Sequence, residues 1–101
     1  MSLNSKEQAR TAGELKANFE LSGISHEQVA ADLGFASDDL DAALALAGPP
    51  ADVWLVRDYL EQAIRLKGQE PVPFTILTED SRRAARGWFR LRDAPLPGGR
   101  R

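Results

Sequence analysis

The sequence predicts a mainly α fold, a compact domain of about five helices, and three observations predict it. Apolar residues recur at three- and four-residue spacing along most of the chain. Asn, Ser or Thr stands ahead of several of these runs, where a side-chain acceptor can start a helix, and Gly or Pro closes them. With 101 residues, 43% hydrophobic and 28% charged, the chain has room for one core. Residues 1–92 are read as that single helical domain, and 93–101 (DAPLPGGRR) as a flexible tail without periodicity.

The first helix starts at Asn4, where Asn-Ser-Lys-Glu7 has capping-box spacing, and runs to about Leu21 with Ala12, Leu15 and Phe19 as its buried face and Gly23 as its stop. Ser25 caps the second, with Gln28 as its box partner and Ile24 and Val29 at the positions of a hydrophobic staple; it ends at Gly34. The third opens after Ser37, whose hydroxyl can cap it. Asp38 and Asp39 suit the positive end of its dipole, and Leu40, Leu44 and either Ala43 or Ala47 face inward. Gly48-Pro49-Pro50 breaks the chain.

A fourth helix, from about Asp52 to Lys67, carries Val53, Val56, Leu60, Ala63 and Ile64 on one face and a second apolar strip of Trp54, Leu55, Tyr59 and Leu66 off it. A helix apolar over so much of its circumference is either central or at an interface. Two prolines then force extended backbone, leaving a short strand or strap near 72–77. Thr78 caps a last helix carrying Ala84, Ala85, Trp88 and Leu91. The interruption at Gly87 leaves open a strand over 88–92 pairing with the Phe74 segment.

Residues 26–45 have the spacing of a helix-turn-helix: Ala30 where two backbones approach, Gly34 at the corner, and Val29, Leu33, Phe35 and Leu40 pinning both helices to one core. In a DNA reader the outward positions of the second helix meet base edges and phosphates. Here they are Ala36, Ser37, Asp38, Asp39, Asp41, Ala42 and Ala45. The common bidentate partners of guanine and adenine are missing, and three aspartates would face phosphate.

Catalysis finds poor material. With no cysteine and one histidine, His26, the chain cannot hold a thiolate nucleophile, a disulfide or a histidine zinc cluster. Asp38, Asp39 and Asp41 lack the pattern of a calcium loop, and Gly98-Gly99 has no strand before it or helix after it to cradle a phosphate. The expectation is no enzyme, no metal and no cofactor. The longest apolar run falls short of the roughly 20 residues that span a membrane. MSLNSKEQAR has no signal-peptide core, so a cytoplasmic location is expected.

The strings GELKANFELSGIS (13–25), VAADLG (29–34), DVWLVRDYLE (52–61), PVPFTIL (71–77) and WF (88–89), in this order and spacing, resemble the bacterial domain of unknown function 2316. The resemblance runs from Met1 to about Leu91. It implies a helix-turn-helix-like helical fold and a bacterial cytoplasmic setting, and assigns no activity, cofactor or catalytic residue.

Two functional expectations follow. The first is a protein-interaction or dimerisation module, a homodimer or a complex with another protein, with Trp54, Leu55, Tyr59 and Leu66 as exposed anchors; a core this small gains from such cover. The alternative is a DNA-binding regulator. The charge is split, net −5 over residues 1–51 and net +3 over 52–101, and Arg82, Arg83, Arg86 and Arg90, interleaved with Trp88 and Phe89, could reach nucleic acid. Asp38, Asp39 and Asp41 disfavour it.

Overall fold

In the computed structural model, which describes residues 4–86 and 94, the chain forms five helices in order: α1 (Ser5–Ser22), α2 (His26–Leu33), α3 (Ser37–Leu44), α4 (Pro50–Leu66) and α5 (Glu79–Arg86). The fold is mainly α, and no strand occurs among the described residues. The segment near 72–77 is a strap without ladder partners. The tail, the expected end of the last helix and the alternative strand over 88–92 fall outside the described residues, Ala94 apart.

Local chemistry sets most of the boundaries. The Asn4 side chain accepts from the Glu7 amide at 2.8 Å while the Glu7 carboxylate accepts from the Asn4 amide at 3.2 Å, so the capping box closes in both directions. Ser25 Oγ accepts from the Gln28 amide at 3.1 Å. The Gln28 side chain, expected to reciprocate, donates to Asp32 instead. Thr78 Oγ1 accepts from the Ser81 amide and starts α5. Ser37 does not cap α3: it is the first helical residue, Ala36 is the cap, and Asp39 Oδ2 accepts from the Ala36 amide at 3.1 Å. The Ala36 side chain has no acceptor, so α3 keeps half of a capping box. The fourth helix begins two residues earlier than expected, with Pro50 in its first turn, where the missing N–H costs nothing.

Helix α4 is the hub, packed against α1 and α3. On one side its Leu55, Val56, Tyr59 and Leu60 join Val29, Ala30, Leu33, Leu40 and Ala43 of α2 and α3. On the other, Val53 and Trp54 meet Leu15 of α1, Leu77 of the strap and Ala85 of α5. Apart from Leu66, both apolar strips of α4 are therefore consumed inside one chain. Trp54, Leu55 and Tyr59 are 2%, 3% and 0% exposed, which corrects the expectation that they are exposed anchors. Leu66 alone of the four stands in solvent, 64% exposed. Burying such side chains stabilises by ~1.5–3 kcal/mol each relative to leaving them wet, so the fold has strong reason to take them in.

The buried face of α1 also differs from expectation. It is Thr11, Leu15, Asn18 and Ser22, with Ala12 and Phe19 only half-buried. Three of these four are polar and satisfied: Thr11 Oγ1 donates to the Glu7 carbonyl and Ser22 Oγ to that of Phe19. Asn18 reaches the strap, donating to the Val72 carbonyl at 3.1 Å and accepting from its amide at 2.8 Å. One turn earlier Glu14 accepts from the amide and hydroxyl of Thr75. The strap is thus pinned to α1 by side chains four residues apart.

Candidate functional site

The surface with the most distinctive chemistry belongs to α2 and α3. Gly34 takes the left-handed conformation (φ 71°) that reverses the chain after α2, and the Phe35 amide returns to the Ala30 carbonyl at 2.8 Å. Val29, Ala30, Leu33, Leu40 and Ala43 all point into the core. The opposite face of α3 carries Ser37, Asp38, Asp39, Asp41 and Ala45, exposed as their spacing predicts, with Ala42 half-buried. His26 Nε2 lies 2.8 Å from Asp41 Oδ1, tying the start of α2 to α3, and the His26 ring meets Phe19 edge-on. Residues 17–56 hold seven acidic side chains and no Lys or Arg. No Lys or Arg of that stretch offsets the acidic face.

A buried contact anchors this unit to α4. The Tyr59 hydroxyl donates to Asp32 Oδ2 at 2.6 Å, and Gln28 donates to the other oxygen at 2.7 Å. Burial of the phenol, then the hydrogen bond and negative charge of Asp32, hold its pKa well above the ordinary tyrosine value.

The basic side chains lie elsewhere and are largely occupied. Arg57, 3% exposed on α4, donates through Nε to the Leu77 carbonyl at 3.0 Å and through a terminal nitrogen to Asp58 and Glu61. Its guanidinium also lies against the rings of Trp54 and Phe74. Arg82 Nε donates to Asp58 Oδ2 at 2.7 Å, and Arg83 pairs with Asp80. The Arg86 side chain and Arg90 lie outside the described residues, as do Trp88 and Phe89. A cleft of about 580 Å³ runs along this side of α4, where Arg57, Arg65 and Arg82 alternate with Asp58 and Glu61. Among the described lining residues three guanidiniums share two carboxylates, so most of the positive charge is paired and one unit is left over.

Residue spacing gave no hint of Arg57, because an arginine in the middle of VWLVRDYL reads as the wet position of an amphipathic helix. What hides it is a long stem with aromatic rings to rest on. Asn18 and Glu14 were equally silent. Their partners are backbone groups more than fifty residues away, and no pattern along the chain encodes that meeting.

Among the described residues no helix is long and apolar enough to cross a membrane, and no three acidic or histidine side chains converge as metal ligands would. No curated protein and no solved structure matches the chain. A family model does match, over residues 1–90, so the chain belongs to the bacterial family DUF2316, described as an uncharacterized protein conserved in bacteria.

Proposed function

We propose that the protein is a non-catalytic interaction module whose α2–α3 unit, helix-turn-helix-like, offers its acidic outer face to a basic protein partner in the bacterial cytoplasm. The observation that carries this reading is the exposed row Asp38, Asp39 and Asp41 within a stretch that has no Lys or Arg from residue 17 to 56. Complementary charge speeds encounter and selects partners even where it adds little affinity. The same row argues against DNA, since affinity for phosphate comes mainly from Lys and Arg. The arginines of the competing reading are engaged where they are described, Arg82 by Asp58 and Arg83 by Asp80. The absence of catalysis is supported by a chain with no cysteine and one histidine, whose ring is held by Asp41. Self-association through Trp54, Leu55, Tyr59 and Leu66 loses its support, because three of the four are already buried within the chain.

The test compares the wild type with Asp38→Lys/Ala45→Lys, two exposed positions that leave the contacts of Asp39 and Asp41 in place. Immobilised on a support and washed with lysate of a source bacterium, the wild type is expected to retain at low salt a protein that the variant does not hold and that ~0.5 M salt removes, as screening requires. Identical retention by both would retire the reading. Retardation of a random DNA duplex at ~50 mM salt, where nonspecific binding is strongest, would overturn it in favour of nucleic acid.

A further inference from the structure

A separate cavity, of about 170 Å³, opens between the start of α1, the α3–α4 turn, the first turns of α4 and the end of the strap. It shares no residue with the acidic face or the arginine cleft. Among the described residues no charged side chain lines it: Leu46, Val53, Trp54 and Leu77 make the apolar walls, beside Gly48 and Pro50, and exposed Gln8 supplies the polar side chain.

Two further observations single this cavity out. Leu46 is the one non-glycine among the described residues with positive φ, at 60°, a conformation that Gly23, Gly34 and Gly68 take elsewhere in the chain. It sits just past α3. Its amide bonds to the Ala43 carbonyl and the next amide, Ala47, to the Ala42 carbonyl at 2.7 Å, the paired closure in which glycine is the usual occupant. A branched residue is held there against backbone preference, and its side chain forms a wall of the cavity. Strain of this kind concentrates at sites that hold ligands.

The second observation is the Trp54 indole. The residue is 2% exposed, yet its N–H has no acceptor among the described residues. No side-chain nitrogen or oxygen among those residues is both sealed from solvent and unpaired, so this N–H keeps an opening. Trp54 lines this cavity. Buried tryptophans ordinarily give that hydrogen to a partner.

We propose that this cavity binds a small uncharged aromatic molecule of one ring that carries a hydrogen-bond acceptor, its ring among Leu46, Val53 and Leu77 and its oxygen accepting from the Trp54 indole. The size suits one ring: a cavity of about 150 Å³ with apolar walls holds benzene in an unrelated protein. The lack of charge among the described lining residues disfavours ions, since a charged group taken out of water needs a partner.

The experiment is a nuclear magnetic resonance titration of the full chain with phenol, against toluene, which lacks the acceptor, and benzoate, which is charged; Trp88→Phe assigns the Trp54 indole signal. Phenol is expected to give saturable shifts at that indole, the Gln8 amide, Leu46 and Leu77, with a Kd of about 1 mM or below. Toluene and benzoate are expected to bind at least about tenfold more weakly, a difference of ~1.4 kcal/mol. Gln8→Phe, a change at an exposed position that closes the mouth, should weaken phenol by a similar factor. No saturable shift with phenol, shifts that map elsewhere, equal binding of either control, or unchanged affinity in folded Gln8→Phe would each overturn the proposal. Should Gln8→Phe fail to fold by circular dichroism, the wild-type titration and its two controls decide the matter.

Discussion

Tyr59 and Arg57 show how single polar groups are accommodated on a helix that is otherwise sealed. Tyr59 is the chain's one tyrosine, so the ultraviolet absorbance of phenolate reports on it alone. The folded state holds the phenol protonated beyond the pH at which an unfolded chain releases it, near 10. The stability this contributes is complete below that pH and is lost as pH rises toward the folded value. An alkaline titration should show a phenolate transition displaced upward and coincident with loss of helical signal. Tyr59→Phe, expected to cost about 1 kcal/mol in urea unfolding, should lack the tyrosine-linked part of the alkaline loss. Arg57→Ala should cost about 3 kcal/mol, since it leaves Glu61 without its buried partner, Asp58 with Arg82 alone, and the Leu77 carbonyl without its donor. Arg57→Lys should recover little of this in the same assay, because an ammonium cannot reproduce the guanidinium's forked contacts or its seat between two rings.

Among the elements, α4 settles a question that its periodicity poses and does not answer. Two apolar strips on one helix fit a central position and an interface equally well, and the difference lies in what the rest of the chain brings to the second strip. Here Leu15, Leu77 and Ala85 come from α1, the strap and α5 to cover Val53 and Trp54. Val56→Ala and Leu60→Ala should each cost ~2–5 kcal/mol by denaturant unfolding, since both side chains are fully buried and leave cavities. Leu66→Ala should stay within ~0.5 kcal/mol of the wild type, as an exposed substitution does. In α1 the sequence misleads for a different reason. Three polar residues share its inner face with Leu15 because each finds a backbone partner there, so the hydrophobic pattern places Leu15 but misses the centre of the buried face. Caps were the most legible feature: Asn4, Ser25 and Thr78 start their helices as their chemistry dictates, and Ser37 fails to match because the helix opens one residue earlier than expected, with Ala36 as cap and Asp39 supplying only the return half of the box.

At the scale of the whole molecule, the charge split visible along the chain survives folding as two different surfaces. Acidic residues of α2 and α3 face outward with no Lys or Arg nearby in sequence, while Arg57, Arg65 and Arg82 are paired with the carboxylates of Asp58 and Glu61 on α4. The acidic face was legible because exposure follows from helical spacing, and the pairs of Arg57 and Arg65 with Glu61 have the i,i+4 spacing of a helix; the pair of Arg82 with Asp58 was not legible, because it joins two elements. With its apolar strips covered, the protein should sediment as a single chain at tens of micromolar, roughly the range in which a modest interface would hold two together. The strap, in turn, bears on time as well as on shape. Its fasteners join groups 54 and 61 residues apart, contacts whose closure entropy must be met before they repay it. They are expected to form after the rate-limiting step. Asn18→Ala should then quicken unfolding in a stopped-flow experiment while leaving the refolding rate nearly unchanged, the mark of an interaction missing from the transition state. A segment with no regular structure would in that case set how long each folded molecule persists, with little influence on how fast one is made.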